Sequence, residues 1–373
     1  MLQMQHKNIL MLAGDGIGVE VCREATRILK WLSTHSDTVF NIESALFGGA
    51  CYDAHHLPVL DETIEAAKKS DAVLLGAVGG PKYDQVKRDL RPEAALLRIR
   101  KELDLFANLR PAITFDELLD ASSLKADIIQ GLDLLIVREL TSGVYFGTPR
   151  GMQKLEDGSE RCVDTQSYTK DEITRVAQIA FDLAGLRYKK VHSAEKSNVM
   201  ETGLFWRQNV QALYDQKIDK SIELHHILAD NCAMQIVRNP KQFDVILTDN
   251  LFGDLLSDAA AMCTGSLGML PSASLGAKRS DGSCPALYEP VHGTAPDIAG
   301  KNMANPIAMI LSVAMMLRYS FEMKSEADLI EKSIRAVLHD GLRTPDIACK
   351  NAISTSDMGT AIIAKMNEFS ELN

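Results

Sequence analysis

The chain of 373 residues lacks most of the features that would classify it at a glance. No run approaches the roughly 18 consecutive apolar residues of a membrane-spanning helix, so a membrane is not expected as a partner. Basic residues are not in excess. Forty Lys and Arg against fifty Asp and Glu leave a net charge of -10, whereas a nucleic-acid binder usually presents a basic face. The seven cysteines include no C-x-x-C pair. An odd number without such pairing argues against a disulfide framework or a Cys-zinc site, and points to a reducing compartment, the cytoplasm. No G-x-x-x-x-G-K-[ST] occurs, which sets aside a P-loop phosphotransferase. The opening MLQMQHKNILMLAGDGIG has no basic start followed by a long apolar stretch. It is expected to be a first strand and not a signal peptide.

What is present is an alternation. Asn8–Ala13, Asp71–Gly76, Leu132–Val137 and Phe243–Thr248 are short apolar runs of strand length. Between them lie segments of helical spacing, such as Gly18–Ser33 with Val21, Ala25, Ile28, Leu29 and Leu32, and Asp61–Ser70. Strands alternating with helices imply an α/β fold with a largely parallel sheet covered on both faces. Tyr145–Tyr168 breaks the pattern, with Asp157-Gly158 between alternating runs, and reads as a β-hairpin. Gly265–Gly276 and Glu289–Gly300 read as long loops, which in α/β proteins often carry function. From Asn305 onward the chain reads as helices.

Gly14, Gly16 and Gly18 sit where a dinucleotide fingerprint belongs, after a strand and before a helix. The third glycine of that fingerprint would fall on Val19, and no acidic residue is well placed at the end of a second strand. The segment is therefore not expected to bind a pyrophosphate in the Rossmann manner. Arg100 and Arg110 flank Lys101–Leu109, and Arg138 follows the buried run Leu132–Val137. Guanidinium groups at strand ends suit a di-acid. Pairing with Glu93, Glu102, Asp104 and Glu139 is the plainer alternative. In DNLFGDLLSD, Asp254 and Asp258 are four residues apart, so a helix places both carboxylates on one face. A solvated acidic face or a pair that holds Mg²⁺ or Mn²⁺ would both fit, and Asp230 could add a third oxygen. His225-His226, read as helical, would point apart and are surface or core residues. Charge divides locally. Arg91–Arg110 has five basic and three acidic residues, and Leu228–Asp258 has two basic and five acidic.

DNLFGDLLSD followed by GSLGMLPSASLG resembles the signature of the β-decarboxylating dehydrogenases, which include isocitrate, 3-isopropylmalate, homoisocitrate and tartrate/D-malate dehydrogenases. GDGIG, LFANLRP, VRELTSGVYFG and EPVHGTAPDIAG extend the resemblance, in the family's order, over essentially the whole chain. RPEAALLRIR at Arg91–Arg100 is similar to the 3-isopropylmalate version. Isocitrate enzymes carry a serine in this helix, whereas Glu93, Leu96 and Leu97 stand here. Two leucines suit an isopropyl group and disfavour a third carboxylate.

The resemblance implies a two-domain α/β fold that is not Rossmann, with a large mixed, mostly parallel sheet. It implies a terminal domain, about 1–105 and 265–373, on the cofactor side. A central insertion, about 106–264, would carry the dimerisation helices and a hairpin arm at about 145–168, with the active site in the cleft between the two. The activity implied is NAD-dependent oxidative decarboxylation of 3-isopropylmalate. Arg100, Arg110 and Arg138 would bind the malate carboxylates. Asp254, Asp258 and Asp230 would hold one Mg²⁺ or Mn²⁺ per site, with Asp230 also touching substrate. Lys196 would help remove the hydroxyl proton, and Tyr145 would protonate the enol. Lys196 and Asp230 would act across a homodimer. NAD would contact Gly80, Glu93, His292, Gly293, Thr294, Ala295, Pro296, Asp297 and Asn305. Asp297 would accept from the adenosine ribose and repel a 2′-phosphate. Another member of the family, or a catalytically silent regulatory subunit, is the rival reading.

Overall fold

The structure is a computed structural model that describes residues 4–279, 282–348 and 350–371. Cys349, one of the seven cysteines, lies outside the described residues. The six other cysteines form no disulfide. No helix among the described residues is long and apolar enough to cross a membrane.

In chain order the strands are β1 (Gln5–Gly14), β2 (Thr38–Ser44), β3 (Ala72–Ala77), β4 (Ala107–Ile113), β5 (Asp133–Glu139), β6 (Gly151–Lys154), β7 (Glu160–Val163), β8 (Lys190–Glu195), β9 (Glu223–Leu228), β10 (Val245–Thr248), β11 (Pro271–Leu275) and β12 (Ala286–Pro290). The α-helices are α1 (Gly18–His35), α2 (Gly49–His55), α3 (Asp61–Lys69), α4 (Pro92–Glu102), α5 (Ala126–Ile129), α6 (Lys170–Gly185), α7 (Glu201–Lys217), α8 (Ala229–Arg238), α9 (Asn250–Ala261), α10 (Ile307–Tyr319), α11 (Lys324–His339) and α12 (Thr355–Ser370).

The chain divides into two compact units. The terminal unit takes Met1–Leu105, Phe115–Ser123 and Thr264–Asn373, and the central unit takes Phe106–Thr114 and Leu124–Cys263. Residues 115–123 thus leave the stretch expected as a central insertion. The ring of Phe115 lies under the Arg335 guanidinium at 4.7 Å, and Arg343 bonds Asp120 and the Glu117 carbonyl. Those two arginines hold the short segment in the terminal unit.

In the terminal unit the strands run β2-β1-β3-β12-β11. The first three pairings are parallel and β11–β12 is antiparallel. In the central unit they run β4-β5-β10-β8-β9. There β4–β5 is antiparallel and the other three pairings are parallel. The sheet is mixed and mostly parallel, as expected. Its strands are buried runs. Every residue of β3 and β10 is buried, as are Ile9–Leu12 of β1, because helices cover both faces of parallel strands. On α1, Val21, Cys22, Ala25, Ile28, Leu29 and Leu32 are buried, one stripe at helical spacing. α6 starts with a capping box. Glu172 N donates to the Thr169 hydroxyl at 3.3 Å, and Thr169 N donates to the Glu172 carboxylate at 2.6 Å, satisfying two otherwise unpaired amides. α10 differs from all these, since each residue from Ile307 to Leu317 is buried.

The hairpin forms from β6 and β7, paired Gly151↔Val163 to Lys154↔Glu160. Gly158 turns it at a φ of 83°, and Asp157 accepts from Ser159 N at 2.9 Å. Three expectations need correction. Gly265–Gly276 is not a loop throughout, because Pro271–Leu275 is β11. Its proline stands at the strand's first position, where no ladder amide is needed, and Ser272, Ala273 and Ser274 are small and buried. His225 and His226 lie on β9 and not on a helix. They still diverge, His225 to Glu223 and His226 to Gln211, because strand side chains alternate. Arg138 does not follow its strand. β5 runs on through Arg138 and Glu139, both buried.

Candidate active site

Arg138, the penultimate residue of β5, has only 3% of its surface exposed. A buried guanidinium needs partners on all its edges, and α9 supplies them. Asn250 Oδ1 accepts from Arg138 Nε at 3.0 Å and from Nη2 at 2.7 Å, and Nη1 faces Asp254. Asn250 Nδ2 donates to the Ser142 carbonyl at 2.9 Å, so Asn250 is itself anchored. Gly253 makes this approach possible, since a Cβ there would sit 2.5 Å from Arg138 Cγ. Arg110, on β4, is gripped in the same way. It donates from Nε to Asn108 Oδ1 and from Nη1 to Ser257 Oγ, both at 2.9 Å. Its nitrogens stand 3.8 Å from Asp254 and 3.5 Å from Asp258.

Tyr145 ends a 3₁₀ turn, Gly143–Tyr145, and its hydroxyl donates to Asp254 Oδ2 at 3.0 Å. Asp254 and Asp258 therefore share one face of α9 with two arginines and a phenol around them. Burial would raise Asp254, but Arg138 and Arg110 override it and hold its carboxyl below the ordinary range. Burial raises Asp258 against the pull of Arg110, with the like charge of Asp254 adding to the rise. Burial and the Asp254 charge also raise the Tyr145 hydroxyl, which keeps it protonated. The helix is capped by Asp249, which accepts from Phe252 N at 2.8 Å and from Gln166 at 3.0 Å. Burial pushes Asp249 up to about 6. Beside the cluster, Glu139 is fully buried and pushed up to about 7 by burial, against bonds from Thr141 and Ser142.

Lys196 follows β8, and Asp230 lies in the first turn of α8. They pair with each other at 2.8 Å, and the lysine lowers the Asp230 carboxyl. Among the described residues no three His, Cys, Asp or Glu side chains come together as a metal cluster. Asp230 thus does not join Asp254 and Asp258 within the chain. Those two fit a hard divalent cation on chemical grounds. They are carboxylates one helical turn apart, and such ions take a few carboxylates plus water or substrate oxygens.

In the terminal unit Arg100 pairs with Glu289 at 2.7 Å, and its Nε is buried without a hydrogen-bond partner. Two of the acids weighed as partners for these arginines have other bonds. Glu102 pairs with Lys68, and Glu139 accepts from Thr141 and Ser142. On α4, Glu93 and Leu97 are exposed and Leu96 is half-buried. Gly80 has a φ of 145° and Gly293 an open surround, with nothing within 4 Å of a Cβ on either. A ligand can therefore approach both backbones closely. Burial lowers His292. Its Nδ1 bonds the Gly293 carbonyl at 2.9 Å, and its Nε2 is buried without a partner. These groups fit a polar ligand such as a dinucleotide. Thr294 is buried, Ala295 is half-buried, and Pro296 and Asp297 are exposed. Asn305 is committed elsewhere. It accepts from Ile307 N at 3.0 Å at the start of α10 and donates to Asp346 at 3.0 Å.

Sequence reasoning missed Asn108, Asn250 and Ser257. No spacing marks an amide or hydroxyl that grips an arginine. Only their places beside Arg110 in LFANLRP and beside Asp254 and Asp258 in DNLFGDLLSD hint at it.

Fold and site together define an α/β dehydrogenase framework with a cluster suited to a carboxylate substrate and a divalent cation. The description "Isocitrate/isopropylmalate dehydrogenase" matches residues 8–362, and the chain belongs to that family. Relatives named 3-isopropylmalate dehydrogenase are similar over their whole length. The one from Pelagibacter ubique is 57% identical over 98% of this chain and 100% of its own. The one from Rhodospirillum rubrum is 58% identical over 96% and 98%. Among solved structures, isocitrate dehydrogenase from Methylococcus capsulatus has a TM-score of 0.83 at 32% identity, covering 96% of this chain and 99% of that one. A β-decarboxylating dehydrogenase from Thermococcus kodakarensis has a TM-score of 0.78 at 33% identity, covering 98% and 97%.

Proposed function

We propose that this chain is an NAD-dependent oxidoreductase that converts (2R,3S)-3-isopropylmalate to 4-methyl-2-oxopentanoate and CO₂, a step of leucine biosynthesis in the cytoplasm. The observation that carries this reading is the α9 cluster, where Arg110, Arg138, Asp254, Asp258 and Tyr145 converge. The full-length likeness to 3-isopropylmalate dehydrogenases supports the choice of substrate, as do Leu96 and Leu97 on α4.

Arg100, Arg110 and Arg138 bind the two malate carboxylates through paired N–H groups. Bound NAD supplies a hydride acceptor, and a divalent cation at Asp254, Asp258 and Asp230 of the partner subunit supplies Lewis acidity at the substrate hydroxyl. Lys196 of the partner subunit takes the hydroxyl proton as the C2 hydrogen leaves with its electron pair. The 2-oxo acid then loses CO₂ from C3, and Tyr145 returns a proton to that carbon. One proton leaves and one returns, so the sum is substrate dianion plus NAD giving keto-acid anion, CO₂ and NADH. Asn250 would keep hold of Arg138 with Asp254 serving as one of the residues that would hold the cation. NAD is preferred over NADP because Asp297 accepts from ribose hydroxyls and repels a phosphate.

A homodimer follows if Lys196 and Asp230 act in trans. Large apolar side chains at the surface of α7, α8 and α9 support it, including Leu204, Phe205, Val237, and Met234 and Leu255 at 61% exposed. Exposed apolar groups of this size mark interfaces when they gather in one area. Full activity from a monomer at high dilution would contradict the shared site. The main test is NADH formation from NAD and 3-isopropylmalate with Mn²⁺. EDTA should abolish it and added Mn²⁺ restore it, and a panel of 3-alkylmalates separates this reading from homoisocitrate or tartrate/D-malate oxidation. No NADH formation in the presence of Mn²⁺ would sink it.

A further inference from the structure

The GDGIG segment has no part in the proposed chemistry, yet its turn is densely bonded to the rest of the terminal unit. Asp15 directs its carboxylate at three backbone amides. Oδ2 accepts from Gly49 N at 2.8 Å and from Gly79 N at 2.9 Å, and Oδ1 accepts from Ala50 N at 2.7 Å. Asp15 N donates to the Ala77 carbonyl at 2.7 Å. The carboxylate therefore ties the end of β1 to the Gly79-Gly80 turn that follows β3. Two residues on, Ile17 N donates to the Thr294 carbonyl at 2.9 Å. Glu20, in the first turn of α1, accepts from Gly300 N at 2.9 Å and Asn302 N at 2.7 Å. Ile298 and Ala299 both donate back to the Ala295 carbonyl, so Glu20 anchors the far end of one tight turn that starts at Thr294 and Ala295.

The glycines are explained by the same contacts. Gly14 and Gly16 have φ values of 67° and 55°. A Cβ on Gly14 would lie 2.0 Å from the Ala77 carbonyl oxygen, and one on Gly16 would lie 2.1 Å from that of Thr294. Each lets one backbone close on another.

We infer that Gly14–Glu20 is the positioning element of the cofactor site, with Asp15 fixing the Gly79-Gly80 turn and Glu20 fixing the 294–302 turn. The inference rests on the reading that Gly80 and His292–Asp297 contact NAD. Asp15 and Glu20 touch no substrate or cofactor themselves. They hold backbone that does, through bonds to a charged acceptor, which are the stronger kind.

The test uses Asp15→Asn and Glu20→Gln in the full-length protein. An amide presents –NH₂ to at least one amide donor where the carboxylate presented oxygen. NADH affinity is read by fluorescence titration, alongside thermal unfolding and steady-state kinetics. Each variant should weaken NADH binding and raise KM for NAD by about tenfold. The KM for 3-isopropylmalate and kcat at saturating NAD should stay within about twofold of wild type. A residue with a structural role alone would lower the unfolding temperature and leave NADH affinity where it was, and that result overturns the inference. Glu20 lies at the surface end of α1, so Glu20→Gln decides the matter if Asp15→Asn does not fold. Wild-type protein that binds no NADH would overturn the proposed activity and this inference together, whereas wild-type binding with unchanged variants would overturn this inference alone.

Discussion

The terminal and central units share a sheet plan of five strands with three parallel pairings and one antiparallel, but they place different chemistry at the strand ends. After β1 and β3 the terminal unit gathers backbone amides and carbonyls, drawn together by glycines and two acidic side chains. After β5 and at α9 the central unit gathers ionisable side chains, with Arg138, Glu139 and Asp249 nearly removed from water. Backbone groups bind and orient without changing their protonation. Buried ionisable groups carry shifted affinities for protons and can move them. Under the proposed function, this difference would be a division of labour, with one unit holding the cofactor and the other doing proton chemistry.

That division can be broken by kinetics. Tyr145→Phe and Lys196→Ala should each lower kcat by about 10²- to 10⁴-fold while leaving KM for NAD close to wild type. A change in KM for NAD with kcat preserved would reverse the assignment.

A second consequence concerns pH. Glu139 rises from 4.5 to about 7 in the folded chain. A group whose pKa is raised on folding contributes stability that is full below its unfolded value and is lost as pH climbs through the folded one. Denaturant-derived stability should fall between about pH 4.5 and 7, by on the order of 3 kcal/mol from this residue. Glu139→Gln should flatten that decline, and an unchanged slope would show that the carboxyl does not titrate there.

Asn250→Ala removes two bonds to the Arg138 guanidinium, each of a kind worth roughly 1.5–3 kcal/mol. KM for 3-isopropylmalate should rise about ten- to a hundredfold, with NADH affinity unchanged. Parallel loss of NADH binding would blur the division between the units. The smallest effect is expected at Asp297. NADP should be used at least about tenfold less well than NAD in kcat/KM, and Asp297→Lys should narrow that gap with the central unit's chemistry intact. Comparable use of both cofactors by the wild-type chain would remove Asp297 from cofactor choice.

Helical and strand periods carried much of this into the sequence. The four-residue spacing of Asp254 and Asp258 placed them on one face of α9, and the apolar runs at β1, β3, β5 and β10 stood out because parallel strands are buried on both sides. β11 was not legible, because its serines and alanine lack the bulk that marks a strand, yet its partner β12 and α10 bury it. Nor were the grips on Arg110 and Arg138, or the bonds from Asp15 to Gly49, Ala50 and Gly79. Apart from Arg110 and Asn108, these join residues many positions apart, and the Asp15 bonds end on backbone amides that every residue carries. The resemblance of whole motifs named the arginines, where spacing alone favoured surface pairing for Arg100 and Arg110 and left Arg138 open.

α10 carries one further consequence. A helix buried on every side has no polar face to fix its angle of rotation about its own axis, and its one internal hydroxyl, Ser312, bonds back to the Ala308 carbonyl of the same helix. Close packing of its apolar side chains sets its azimuth, and polar contacts at the two ends add to it. At the start, Asn305 ties the first turn to Asp346. At the finish, Arg318 reaches Asp328 and Glu331 of α11, and Ser320 meets the Tyr288 hydroxyl at 2.7 Å. The clocking of α10 is thus fixed twice, by the shape of its buried side chains along its length and by a handful of polar residues at its two ends.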